Sequence, residues 1–244
     1  METSRSLSKF DQAMMSLRSL VLSGEYETSK RLSEVALSER LGISRTPLRQ
    51  AMDHLVGEGL LERIETGGCR VARFTIEDIE DAIEFRGVIE GTAARIAAER
   101  GASAEGIRVA RTVLDGIDLA LSAAGGIDFD SYVTLNARFH ETLAELSGSA
   151  TVRREVARAC RLPLASPSAF LKEQALIPDF QASLTQAQAQ HRAILDAIQR
   201  REGARAEGLA REHARLARRN LEHVMKKKAS FEGRLPGLAL VETD

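Results

Sequence analysis

The sequence predicts a mainly α-helical chain in two parts: three helices with one small β-hairpin over residues 1–73, then an all-helical part over 74–229. Three observations predict it. Aromatic residues make up 4% of the 244 residues and Trp is absent, whereas Ala, Leu, Arg and Glu, which favour helices, are abundant. Apolar residues recur at helical spacing along most of the chain. LLERI and CRVAR, placed around Glu65-Thr66-Gly67-Gly68, read instead as two short strands of a hairpin.

The elements follow in order. Leu7 to Leu22 carries Phe10, Met14, Leu17, Leu20 and Val21 as a helical stripe, and Gly24 ends it. After a polar turn, Ser33 caps the short helix EVALSERL, whose Val35, Ala36 and Leu41 can face a core. Gly42 lies just past its end. A third helix opens at Ser44 and runs to about Glu58, with Leu48, Ala51, Met52 and Leu55 inward and Arg45, Arg49 and Gln50 outward. Two short helices around a tight glycine turn form the helix-turn-helix pattern, and the hairpin behind them would be a wing. Thr75-Ile76-Glu77-Asp78 resembles a capping box and opens a helix to about Arg100. Further helices are expected at about 103–123, 129–147, 150–164, 180–200 and 203–228, separated by glycines and prolines. Lys226 to Lys228 suit a helix end, and 230–244, with Gly233, Pro236 and Gly237, reads as a flexible tail.

Composition sets bounds on function. With 34 Lys+Arg against 35 Asp+Glu, no bulk positive field announces nucleic acid, so any such binding must come from local arrangement. Cys69 and Cys160 have no partner at metal or redox spacing, which fits a reducing cytoplasm. No apolar run approaches the roughly 18–20 residues of a membrane span, and residues 1–20 lack a signal-peptide core, so a cytoplasmic protein is expected.

The start of the third helix, Ser44-Arg45-Thr46-Pro47, carries chemistry. Ser44 can cap the first free N–H groups, and Pro47 sits in the first turn, where its missing donor costs little. Arg45 and Arg49 lie four apart on one face, at the positive end of the helix dipole, with no carboxylate nearby in sequence. A cationic helix start flanked by hydroxyls suits a polyanion. In a major groove, arginine can fork onto guanine O6 and N7, Ser44 and Thr46 can meet phosphates, and Gly67 and Gly68 let the wing tip approach the DNA. SRTPLRQAMDHLVGEGLLERIETGGCRV, with KRLSEVALSERLGIS upstream, resembles the winged-helix signature of GntR-family transcription regulators over about residues 10–73. The resemblance implies DNA contacts at Arg31, Arg45 and Arg49, phosphate contacts at Ser44 and Thr46, and Gly68 at the wing tip.

The second part holds a histidine pattern. Asn136 and His140 sit four apart on the stripe of Tyr132, Leu135, Phe139, Leu143 and Leu146. His191 heads Ile194, Leu195 and Ile198, and His213 follows Leu209 by one turn. Inward imidazoles need polar partners, and three of them with an amide oxygen can hold a first-row transition metal with positions left open. The array resembles the all-helical, antiparallel FCD ligand-binding domain of the FadR subfamily. Its metal-binding members use an aspartate and three histidines, here Asn136, His140, His191 and His213. The departure is Asn136, a neutral and weaker ligand. Arg86 can pair with Glu90 at i+4, or, as the resemblance implies, reach a cavity and fork onto an effector carboxylate.

The resemblance therefore implies a homodimeric repressor released from a palindromic operator by a small carboxylic acid, with one divalent metal such as zinc per protomer. Arg86, Asn136, His140, His191 and His213 would bind the effector. Similarity is closest to vanillate-responsive repressors, which suggests a lignin-derived aromatic acid such as vanillate or a related biaryl acid. Two alternatives stay open. The metal could itself be the signal, or the histidines could serve a metal-dependent hydrolase, which the lack of HExxH and of a glutamate placed to activate water disfavours.

Overall fold

The computed structural model describes residues 8–26, 30–123, 126–161, 165–167, 178–226 and 238–242. They divide into two compact units, Met1–Glu77 with Phe231–Asp244, and Asp78–Ser230.

In the first unit, α1 (Lys9–Leu22) begins at Ser8, whose hydroxyl accepts from the Asp11 amide. Ser33 likewise caps α2 (Glu34–Leu41) by accepting from Ala36, and Gly42 ends it at φ 64, a left-handed value that glycine adopts without strain. α3 (Arg45–Gly57) follows and packs on α1. Leu17, Leu37, Leu48 and Leu55 are fully buried between these helices. Each contributes about 1.5–3 kcal/mol over an exposed leucine.

The predicted hairpin is β2 (Leu61–Arg63) and β3 (Cys69–Val71), paired antiparallel. A further strand, β1 (Arg31–Leu32), lies where the sequence reads as a polar turn and pairs with β3, giving the order β1-β3-β2. Two residues are too short for a periodic signal, yet Leu32 is buried and anchors them to the core. At the wing tip Gly67 and Gly68 have φ of 84 and 93, and a Cβ on Gly68 would stand 2.9 Å from Arg31 Nε.

Two expectations need correction here. Ser44 occupies the N-cap of α3 with extended backbone, but its side chain makes no capping hydrogen bond. The far end of the expected flexible tail is ordered against the first unit. Leu238–Leu240 forms a 3-10 turn, Leu240 is buried in the core with α1, and Val241 bridges to Phe74. Phe74 N donates to Leu240 O and Glu242 N to Phe74 O, so backbone pairing and an apolar anchor outweigh the local Gly and Pro signal. Gly233, Pro236 and Gly237 lie outside the described residues.

The second unit contains α4 (Ile76–Arg100) from Asp78 onward, α5 (Ala104–Leu121), α6 (Phe129–Leu146), α7 (Ala150–Ala159), α8 (Pro178–Gln199) and α9 (Gly203–Lys226). Side chains of Ser103, Asp128 and Ser149 cap α5, α6 and α7. α5 packs on α6 and α8, and α8 on α9, around Leu114, Ile117, Phe139, Leu143, Leu184 and Ile194. α7 stops five residues before the expected 164, and positions 162–164 and 227–228 of the expected helices lie outside the described residues. Gly87 matters to the site. A Cβ there would stand 2.8 Å from Ala214 Cβ, so α4 and α9 approach closely and bring Arg86 and Glu90 beside His213. Among the described residues, no helix is long and apolar enough to cross a membrane.

Candidate functional site

The three inward histidines converge. His140 on α6, His191 on α8 and His213 on α9 are all buried, and one ring nitrogen from each lies within 4.8 Å of the others. His191 Nε2 is 3.0 Å from His213 Nε2. Each ring turns its Nδ1 outward to an oxygen: His140 to Glu90 Oε1 at 2.8 Å, His191 to Gln188 Oε1 at 3.2 Å, and His213 to Gln190 Oε1 at 3.1 Å.

Those oxygens decide where the protons sit. Gln188 Nε2 donates to Leu114 O at 2.8 Å and to Asp118 Oδ1 at 2.7 Å. Its amide is thereby oriented with Oε1 toward His191, so His191 must carry its proton on Nδ1. Burial pushes the Glu90 carboxyl up, but His140 and Arg86 outweigh it and hold it down at about 2. An ionised Glu90 can only accept, which puts a proton on His140 Nδ1 as well. Gln190 Oε1 sets the same tautomer on His213. Burial, with the neighbouring rings, holds His191 well below its usual range and His213 down at about 3. Both are neutral at pH 7.

The consequence is that the Nε2 lone pairs of His191 and His213 face each other bare. His140 Nε2 is buried with no hydrogen-bond partner among the described residues. Two nitrogen lone pairs at 3.0 Å repel unless a proton or cation lies between them. The donor set, three converging imidazoles each oriented through the opposite nitrogen, fits a divalent transition metal, and a carboxylate behind one imidazole raises its basicity.

Beside the cluster lies a buried guanidinium within the field of Glu90 but not in direct ion-pair contact with it. Arg86 is 1% exposed, and its Nε and Nη1 have no hydrogen-bond partner among the described residues. The i+4 ion pair with Glu90 that the sequence allowed is not formed, because Glu90 bonds His140 instead and also accepts from the Cys160 thiol at 3.7 Å. Arg86 lines a cavity of 40 Å³ with Tyr132, Asn136, Ser183, His213 and Asn220. Asn136 Nδ2 donates to Pro167 O at 3.1 Å, which orients its amide. Sequence reasoning gave Glu90 no role of its own and missed Gln188, Gln190 and Cys160. A signal existed for Glu90, since Ile79, Ile83, Arg86, Glu90 and Ala94 share one helical face.

In the first unit, Ser44, Arg45, Thr46 and Arg49 are exposed on α3, and Arg31 on β1. Arg49 has a carboxylate that sequence distance concealed. Its Nε lies 3.2 Å from both Glu34 oxygens and its Nη2 2.7 Å from Glu34 Oε2. The hydrogen bond from Arg49, aided by charge on Arg45 and Arg31, keeps the Glu34 carboxyl below the usual range.

Comparison with known proteins agrees with this architecture. Residues 10–71 match the gntR family of bacterial regulatory proteins, and residues 81–216 match the FCD domain. Among curated relatives, the helix-turn-helix transcriptional regulator YdhC of Bacillus subtilis (strain 168) is 26% identical over 131 residues, covering 54% of this chain and 57% of its own length. The Nta operon transcriptional regulator of Aminobacter aminovorans is 31% identical over 128 residues, 52% of this chain and 59% of that protein. The chain thus spans somewhat under three fifths of the length of these two relatives. Of solved structures, E. coli McbR/YncC shares the fold with a TM-score of 0.63 at 16% identity, covering 91% of this chain and 100% of that one. The chain belongs to the gntR family of bacterial regulatory proteins, in the FadR-type group that joins such a head to an FCD domain.

Proposed function

We propose that the protein is a cytoplasmic, homodimeric transcription repressor whose two α3 helices read half-sites of a palindromic operator and which a small carboxylic acid releases. Arg45 and Arg49 face bases, Ser44 and Thr46 face phosphates, and Arg31 with Gly68 follows the backbone at the wing. The uncapped Ser44 hydroxyl supports its share of that role. In the second unit, His140, His191 and His213, with Asn136 as a weak fourth donor, hold a divalent metal such as zinc, which supplies a Lewis-acidic position for one carboxylate oxygen. Arg86 donates to the same carboxylate from Nε or from Nη1, the open member of either edge of its guanidinium.

The observation that carries this reading is the buried guanidinium of Arg86, whose Nε and Nη1 have no hydrogen-bond partner among the described residues, beside three converging imidazoles. Buried N–H groups of a charged side chain left without a hydrogen bond cost more than about 1–3 kcal/mol, and a carboxylate in the adjoining cavity would satisfy them. Cavity size bears on the acid. A space of 40 Å³ accommodates a carboxylate and little else, against about 150 Å³ for a cavity that takes benzene. Vanillate would need side chains to part, whereas a short acid would not. Coupling of about 1–3 kcal/mol between this site and the operator, or 5–150-fold in affinity, is enough for release.

The test is titration of the full-length protein on a duplex it selects from a random pool, at fixed salt, with zinc present or chelated, against acids from acetate to vanillate. Release by an acid in a zinc-dependent manner supports the proposal. Operator binding that no acid changes removes the effector assignment. A second reading, in which the metal is the signal, is favoured by the 3.0 Å approach of His191 and His213, which calls for a cation whether or not an acid is present. Release by zinc without any acid would establish it.

A further inference from the structure

The Arg49–Glu34 pair joins the exposed face of α3 to the start of α2. Its stereochemistry bears on how Arg49 could read a base. A guanidinium has two edges able to make paired hydrogen bonds: Nε with Nη2, and Nη1 with Nη2. Glu34 occupies the first, through contacts of 3.2, 3.2 and 2.7 Å. The second edge, at the far end of the side chain, remains, and it is the edge that matches guanine O6 and N7.

The exposure of the pair argues that stability is not its purpose. The Arg49 side chain is 63% exposed and that of Glu34 30%, a setting in which an ion pair contributes about 0–1 kcal/mol. Glu34 also stands within the field of Arg31 and Arg45. A carboxylate placed among three arginines weakens any docking that depends on phosphate attraction.

We propose that Glu34 is a specificity-determining positioning residue, which clamps the Nε/Nη2 edge of Arg49 so that the Nη1/Nη2 edge meets a guanine. The inference rests on the DNA-reading assignment above and adds two consequences. Without Glu34 the Arg49 side chain is free to swing to a phosphate, so discrimination at its guanine falls. Loss of the carboxylate also strengthens sequence-independent binding.

The experiment uses the full chain and the duplex that the wild type selects from a random pool. R49A first identifies the base pair that Arg49 reads, as the position where its loss abolishes discrimination. E34Q, which keeps an oxygen acceptor but removes the charge, is then measured at every position and on a scrambled duplex across salt. The expected result is a loss of discrimination of about 5-fold or more at that guanine, with other positions unchanged, and tighter binding to scrambled DNA. The slope of log affinity against log salt should steepen by about 0.9, the effect of one further phosphate neutralised. In the R49A background E34Q should change no base preference.

Full discrimination retained in E34Q overturns the proposal. So does an equal loss at all positions accompanied by a lower melting temperature, which would make Glu34 merely structural. If R49A loses discrimination nowhere, Arg49 reads no base and the clamp has no object. A wild type that selects no duplex contradicts the DNA-reading assignment itself, an outcome distinct from any behaviour of E34Q.

Discussion

Arg49 and Arg86 carry the same side chain into opposite surroundings. Arg49 is 63% exposed, sits in water and holds a fitted carboxylate in Glu34, whereas Arg86 is 1% exposed and has two nitrogens, Nε and Nη1, without a hydrogen-bond partner among the described residues. Simple electrostatics would arrange matters the other way, since charge is tolerated in water and costly inside. The difference teaches what each unit is built for. An exposed arginine gains orientation from its partner, and a buried arginine left open has hydrogen-bonding capacity that an incoming anion would satisfy.

The largest test of that contrast lies beside Arg86. Glu90→Ala removes the carboxylate that balances the buried positive groups and accepts from His140. Loss of one member of a buried pair costs about 3–5 kcal/mol, so chemical denaturation should show a loss of that size. An unchanged midpoint would mean that Glu90 balances nothing.

Acid should act on the metal-free second unit next. His191 and His213 have folded-state values depressed below 6.5, so the unfolded chain binds protons that the folded one does not, and stability falls as pH drops below 6.5. With two such groups the loss between pH 6.5 and 5 is about 3 kcal/mol, at up to about 1.4 kcal/mol per pH unit for each. Denaturation of chelated protein at these pH values measures it. A loss no greater in wild type than in the H191Q/H213Q variant would contradict it.

Arg86→Met should move the other way. Replacing the open buried cation by an apolar chain of similar length is expected to stabilise the acid-free protein by about 1–4 kcal/mol while leaving operator affinity intact. Smaller again in its effect on the fold is Arg49→Ala. It should change stability by less than about 1 kcal/mol but cost about 1–3 kcal/mol of operator affinity, read by melting and by DNA titration on one preparation. Equal losses of stability from both arginine variants would erase the distinction.

Much of the fold was legible, for physical reasons that also mark where legibility ended. The early helices announced themselves through Ser33 and Gly42, whose capping chemistry is local. β1 and the Leu238–Leu240 turn did not, because both are held by partners distant in sequence, Cys69 and Phe74. The histidines could be placed inside from their helical stripes. Their orienting oxygens could not all be read, since Gln190 comes from the helix before His213, and Glu90 from α4 stands fifty residues from His140. The same distance hid Glu34 from Arg49, fifteen residues away on a different helix. Arg86 was legible as a candidate, but its lack of a partner is a property of packing.

The central claim is that the open guanidinium awaits a carboxylate. Calorimetric titration of zinc-loaded wild type and Arg86→Met with a series of acids from formate to vanillate, without DNA, tests it most directly. The account predicts saturable binding of at least one short acid by the wild type, one per protomer, and none by the variant. Equal binding by both proteins, or binding by neither, would contradict it.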